Sequence, residues 1–152
     1  MQTTSGTGEA RVEAITLRNS KDEVAESVGV GEQIALHIKV KVYRSIETLV
    51  LGYGIKDRLG QVMYGTNTWH TNQAINKLQQ GDEYLFVLSF PAHFGVGSYS
   101  VQTALVNHDT HLTANYEWRD MALMFNVINI NKTQFSGCLW NEPNITIKCL
   151  TR

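Results

Sequence analysis

The chain has 152 residues, of which 43% are hydrophobic and 18% charged, and its formal net charge is −1. That length supports one domain with a core of its own, without a metal or disulfide staple. The near-neutral balance gives no basic field for phosphates, so a nucleic-acid partner is not expected. No run of about 18 apolar residues is present to span a membrane as a helix.

The chain opens on Met1-Gln2-Thr3-Thr4-Ser5-Gly6-Thr7-Gly8, without the basic start and apolar stretch of a signal peptide. Residues 1–9 therefore read as a linker. The first strand is expected over Ala10–Leu17, and a polar connection runs from Asn19 to Gly31. Glu32–Tyr43 alternates most strictly. Ile34, Leu36, Ile38, Val40 and Val42 fall on one face, and Ala35, His37, Lys39, Lys41 and Tyr43 on the other. Leu49–Asp57 follows, with Leu49, Leu51, Tyr53 and Ile55 on one face and Gly52 and Gly54 opposite. Those glycines imply either close backbone approach or a shallow floor where side chains would obstruct a ligand. Arg58-Leu59-Gly60 is a turn, and Gln61–Thr66 returns as the hairpin partner.

Thr68–Gln80 reads as a polar connection with one helical turn ending at Gly81. Asp82–Phe90 points Tyr84, Phe86, Leu88 and Phe90 inward and leaves Leu85 and Val87 on the far face, where they need a cover. Gly97–Val106 points Tyr99, Val101, Thr103 and Leu105 inward. His108–Asp120 is expected to be a polar loop carrying Tyr116 and Trp118, followed by a strand over Met121–Val127. Two last strands, Gln134–Trp140 and Ile145–Leu150, would form a hairpin about Asn141-Glu142-Pro143-Asn144. It would close the domain's own sheet edge or pair with a second subunit. Eight or nine short strands give an all-β fold: one antiparallel β-sandwich over residues 10–152.

Motifs for chemistry are missing. No phosphate-cradling glycine loop and no Gly-x-Ser-x-Gly occurs. His108 and His111 lack an evident third ligand, so neither a metal nor a cofactor is expected. The carboxylates, including Asp57, Glu117 and Asp120, fall at turns and strand ends without a pairing motif, although a small glycan hydrolase remains a rival. Cys138 and Cys149, without a signal peptide, read as reduced thiols of a cytoplasmic domain.

Binding is the better expectation. A sheet can meet a sugar with amides, hydroxyls, charges and aromatic faces. The candidates are Gln102 and Ser100 on one strand, His37, Lys39 and Lys41 on another, and Trp69, His70, Tyr116 and Trp118 in loops. Each also has an ordinary structural or solvating explanation.

Three segments resemble a known family. The run Gly54-Ile55-Lys56-Asp57-Arg58-Leu59-Gly60-Gln61-Val62-Met63-Tyr64-Gly65-Thr66-Asn67-Thr68 is similar to a stretch of the C-terminal domain of Wzt-type polysaccharide exporters. Leu88-Ser89-Phe90-Pro91 leading to Gly97-Ser98-Tyr99-Ser100-Val101, and Tyr116-Glu117-Trp118-Arg119-Asp120 before Ala122–Val127, support it. The resemblance implies an immunoglobulin-like or jelly-roll sandwich at the end of the ATPase subunit of an O-antigen ABC transporter. It implies a non-catalytic, cytoplasmic carbohydrate-binding module that reads the modified non-reducing end of a finished polysaccharide, in the manner of a polymannan exporter. The partners implied are the O-antigen chain, the parent nucleotide-binding domain, the membrane subunit and a second copy. A dimerisation domain with no ligand of its own is the other alternative. Within the shared motif, Asp57, Gly60, Gly65, Thr66, Asn67 and Thr68 are expected to shape the hairpin and its exit rather than read the sugar.

Overall fold

A computed structural model describes residues 3–108 and 115–152. Among the described residues the strands are β1 (Thr3–Ser5), β2 (Ala10–Arg18), β3 (Ser27–Gly29), β4 (Gln33–Val42), β5 (Ile46–Asp57), β6 (Val62–Asn67), β7 (Ile75–Leu78), β8 (Glu83–Pro91), β9 (Gly97–Val106) and β10 (Asn115–Ile128). They form two sheets. The larger runs β1-β10-β9-β5-β6, with β3 added to β10 and β7 added to β5. The smaller runs β2-β4-β8. All pairings are antiparallel except that of β3 with β10.

The alternating residues of β4 explain the sandwich. Ile34, Leu36, Ile38, Val40 and Val42 are all buried, and they face Leu49, Leu51, Ile55, Tyr99, Val101 and Leu105 of the larger sheet in one core. Burying each such side chain contributes about 1.5–3 kcal/mol. Strand β8, at the edge of the small sheet, half-buries Tyr84, Phe86, Leu88 and Phe90 and exposes Leu85 and Val87.

Four local expectations change. Residues Thr3–Ser5 pair with Trp118–Asp120, and the Thr7 and Gly8 amides donate to the Asn115 and Tyr116 carbonyls. This stretch belongs to the larger sheet and is not a loose linker. The Asn19–Gly31 connection contains β3, a three-residue strand too short for alternation to reveal. In the Thr68–Gln80 segment no helix ends at Gly81: hydrogen-bonded turns occupy residues 68–72, Ile75–Leu78 is a strand on the β5 edge, and Gly81, at φ 93°, turns it into β8. The positive φ behind the helix-end reading is real, but it serves a strand-to-strand turn.

The fourth change concerns the C-terminal segment. Within the chain, Gln134–Trp140 and Ile145–Leu150 do not pair as a hairpin. Leu139 makes a lone bridge to Phe94, the Trp140 amide donates to the His93 carbonyl, and Phe135 packs on Trp140. Residues 141–152 are exposed, with Ile147 at 90% and Leu150 at 92%. Strand-forming side chains alone do not make a hairpin without a core to lie on. Cys138 and Cys149 are unpaired and exposed.

Candidate functional site

The outer face of the larger sheet carries a cleft whose floor is made of missing side chains. The β-ladders align Trp118 of β10, Ala104 of β9, Gly52 of β5 and Asn67 of β6 in one row across the sheet. The next row places Gln102 beside Gly54 and Gly65. Glycine within a strand costs roughly 0.5–1 kcal/mol relative to alanine. Here three glycines lie together on β5 and the edge strand β6 of a sheet whose other face is core. Of the two sequence-level meanings, the shallow floor describes Gly52, because a Cβ there would meet its nearest neighbours, the Asn67 and Ala104 Cβ atoms and the Ala104 carbonyl oxygen, at ordinary distances of 3.5, 3.8 and 3.9 Å. Close approach describes Gly65, where a Cβ would stand 3.0 Å from the Tyr53 carbonyl oxygen.

The resulting cleft has a volume of about 230 Å³. Asn67, His70 and Gln102 supply its polar side chains, and Ala104, Val106 and Trp118 the rest; Thr66, paired with inward-facing Tyr53, points its side chain to the other face. The wall is positioned by local chemistry. Asn67 Oδ1 accepts the His70 amide at 2.9 Å, fixing the loop after β6. Thr68 Oγ1 accepts the Leu51 amide at 2.9 Å, and the Thr68 amide donates to the Leu51 carbonyl, so the hairpin exit is pinned to β5. On the opposite wall, β10 slips register between Arg119 and Leu123, and Met121 takes φ 49°. That bulge faces the Gln102 position and breaks the regular pairing beside it. The Gln102 side-chain amide lies over Gly54, where an added Cβ would stand 3.0 Å from Nε2. Its Oε1 is buried and has no hydrogen-bond partner.

A second hollow continues along the same face. It is lined by Lys56, Asp57, Ser100, Asp120 and Met124, among others, and has a volume of about 200 Å³. Lys56 and Asp120 form an ion pair across it at 3.5 Å. A third, apolar cleft of about 600 Å³ opens at the side of the sandwich between β6 and β8. Tyr53, Met63, Leu88, Phe90 and Leu139 line it, and Tyr53 stacks on Phe90 at 6.4 Å. Burial, with the Tyr64 phenol nearby, pushes the Tyr53 phenol above its usual range.

Of the candidates, Gln102, His70 and Trp118 meet in the glycine-floored cleft, and Ser100 lines the neighbouring hollow. His37, Lys39 and Lys41 do not join them; they lie on the outer face of the small sheet, on the far side of the sandwich. There Lys39 pairs with Glu83 at 3.8 Å and Lys41 lies over the Tyr43 ring. Trp69 is not among the lining residues of the cleft; it is partly exposed, with its ring 4.0 Å from that of His108. His111 lies outside the described residues.

Tyr116 is corrected outright. It is 5% exposed, lies in strand β10 and donates its hydroxyl to the Thr48 carbonyl at 2.9 Å. Burial, with Glu9 adding to it, pushes its phenol upward. The loop reading failed because irregularities in the β10 ladder, after Asn115 and after Arg119, broke the period-two pattern.

The motif residues mostly build the hairpin, as their types imply. Asp57 Oδ1 accepts the amides of Leu59 and Gln61, and Gly60 takes φ 83° in the turn. Gly65, Thr66 and Asn67 have a second position, however: they also line the cleft. The signal that sequence reasoning missed was that two glycines of one strand face a third on its partner.

The carboxylates that a hydrolase would need are committed elsewhere. Asp57 caps its turn. Glu117, 4% exposed, accepts the Val12 amide at 3.1 Å and pairs with Arg119 at 3.2 Å, tying β10 to the small sheet. Among the described residues no cluster of three or more His, Cys, Asp or Glu is placed to hold a metal.

The model of the Wzt C-terminal domain matches residues 1–141. The chain belongs to the Wzt C-terminal domain family. It is a β-sandwich domain of the kind found in the ATPase subunit of O-antigen ABC transporters, where it is a non-catalytic module. A crystal structure of the C-terminal domain of Wzt superposes with a TM-score of 0.83 at 20% identity, over 97% of this chain and 89% of that one. That likeness gives the two-sheet fold. A calcium-binding mutant of Bacteroides uniformis β-glucuronidase 2 has a TM-score of 0.49 at 19% identity, over 71% of this chain and 13% of that one, too slight to bear on this chain. No curated protein sequence matches the chain. Among the described residues, no helix is long and apolar enough to cross a membrane.

Proposed function

We propose that this domain binds the modified non-reducing end of a completed O-antigen polysaccharide on the cytoplasmic side of the inner membrane, and so couples chain termination to export. The observation that carries the reading is the glycine-floored cleft of a Wzt C-terminal domain, where Asn67, His70, Gln102 and Trp118 converge. Amides on a flat floor suit a pyranose, which offers hydroxyls at its edge and C–H groups on its face. Gln102 has a buried, unsatisfied amide oxygen, and turning that amide toward the cleft would give the oxygen a sugar hydroxyl as partner. Its parent nucleotide-binding domain and the transporter's membrane subunit are the partners through which binding would be communicated.

The test is a titration of the folded domain with its cognate polysaccharide, capped and uncapped. Binding of the capped chain in preference to the uncapped one supports the reading. Absence of binding to either contradicts it.

A second reading, dimerisation, rests on a different observation and is compatible with the first. Residues 141–152 carry the exposed side chains Ile145, Ile147 and Leu150, while the cleft between β6 and β8 is apolar and begins at Leu139. A second copy's C-terminal segment would cover that cleft, giving the homodimer. Light scattering of the intact chain and of a chain ending at Trp140 separates the outcomes: exchange predicts a dimer that becomes a monomer on truncation.

A further inference from the structure

Resting on the carbohydrate-binding reading, we infer that the cleft takes one uncharged sugar residue, laid flat on the Gly52–Ala104 floor, and discriminates against sugars carrying a carboxylate or phosphate. Three observations lead there.

The first is the chemistry of the wall. None of the groups lining the cleft is a carboxylate, an ammonium or a guanidinium. Asn67 and Gln102 end in amides that both donate and accept. Sugar hydroxyls also do both, so each contact can be satisfied in either direction. A carboxylate or phosphate only accepts, and desolvating it without a counter-charge is costly.

The second is the disposition of the cations around the cleft. Lys56, two residues beyond Gly54 on the same strand, is in its ion pair with Asp120. Arg119, next to Trp118, is paired with buried Glu117. Lys39 and Lys41 stand on the opposite face of the sandwich. Apart from the His70 imidazole in the wall, an anionic substituent in the cleft would have to break one of these pairs to gain a charged partner.

The third is size and shape. The volume, about 230 Å³, lies below the range of about 300–1,000 Å³ typical of sites for larger ligands. The floor has no side chain beyond the Ala104 methyl. A ring lying flat on it places its C–H face on Gly52 and Ala104 and turns its edge toward Asn67 and Gln102. Standing the ring upright would lose one of these two sets of contacts.

The experiment follows the backbone amide resonances of the ¹⁵N-labelled intact chain on titration with four methyl glycosides: a neutral hexoside, a 6-deoxyhexoside, a hexuronide and a hexoside 6-phosphate. The neutral pair is expected to shift Gly52, Gly54, Gln102 and Ala104, and the charged pair to bind at least tenfold more weakly. Gly52→Val is the control. Its Cβ meets only ordinary van der Waals neighbours, so the thermal unfolding midpoint is retained while the branched side chain fills the floor and the shifts vanish. Charged glycosides binding the cleft as tightly as neutral ones would overturn the inference and leave the carbohydrate reading standing. Shifts confined to another surface would overturn the cleft assignment as well. Failure of the four glycosides and of the O-antigen polysaccharide to bind would remove the carbohydrate reading itself.

Discussion

The two outer faces of the sandwich follow the same period-two alternation and differ in what it leaves outside. On the small sheet the alternate residues are His37, Lys39, Lys41, Leu85 and Val87, which project from the regular β4–β8 ladder, with one slip of β2 beside Lys39. On the larger sheet they include Gly52, Gly54, Ala104 and Gln102, beside a bulge in β10. The first face presents side chains, and the second presents backbone, walled at its edges. On the proposed reading, charge is a poor guide to the site: the lysines whose type most suits holding a ligand occupy the opposite face of the sandwich.

The largest effect expected is on stability, and it tests what holds the second face in place. Glu117→Gln removes the charge that pairs with Arg119 beneath the cleft, where a broken buried pair costs about 3 kcal/mol. Chemical denaturation should show that loss. A variant as stable as the parent would mean that the Glu117–Arg119 pair contributes nothing to stability. Next comes Gly52→Val, which should lower glycan affinity tenfold or more, about 1.4 kcal/mol, at an unchanged unfolding midpoint. Retained affinity by calorimetry would place the sugar off the floor. Gln102→Ala should weaken binding severalfold, in keeping with about 1 kcal/mol for one hydrogen bond, and unchanged affinity would take Gln102 out of the site. Lys39→Ala with Lys41→Ala should leave affinity unaltered. A clear loss in that double variant would reverse the ranking of the two faces.

The smallest effect concerns the crossing between the sheets. Glu32 accepts the Ser20 and Gly29 amides, each at 2.8 Å, and so fastens the connection from β2 to β3. Partial burial works upward on its carboxyl, but these hydrogen bonds outweigh it and hold the pKa below the ordinary value. A depressed folded-state pKa gives stability that is complete above the unfolded-state value and is lost as pH falls through the folded-state value. Glu32→Gln should therefore flatten the acid limb of the stability–pH curve. An identical limb in parent and variant would mean that the amide bonds contribute nothing to the pH dependence.

Most of the sandwich was legible in the sequence because its core strands are regular. The row from Ile34 to Val42 and the row from Tyr99 to Leu105 each show their buried face without ambiguity. What was illegible shares one physical cause: pairing that depends on a distant partner. Strands β1, β3 and β7 have only three or four residues each, and they exist because β10 and β5 offer an edge. Tyr116 entered the core through a ladder whose irregularity no local pattern reveals. The site was legible as residue types. Gln102, His70 and Trp118 were candidates, but their convergence depends on the register between β6, β5, β9 and β10. The same register separates them from His37 and the lysines. The glycines of the shared motif looked structural, and Gly60 is; Gly65 combines a tight strand crossing with a place in the floor.

The most direct test of the central claim is to map, residue by residue, where the cognate capped polysaccharide binds. Amide shift changes on titration should cluster at Gly52, Gly54, Asn67, Gln102, Ala104 and Trp118, with His37, Lys39 and Lys41 unmoved. Changes clustered on the small sheet, or none at all with a folded domain, would contradict it.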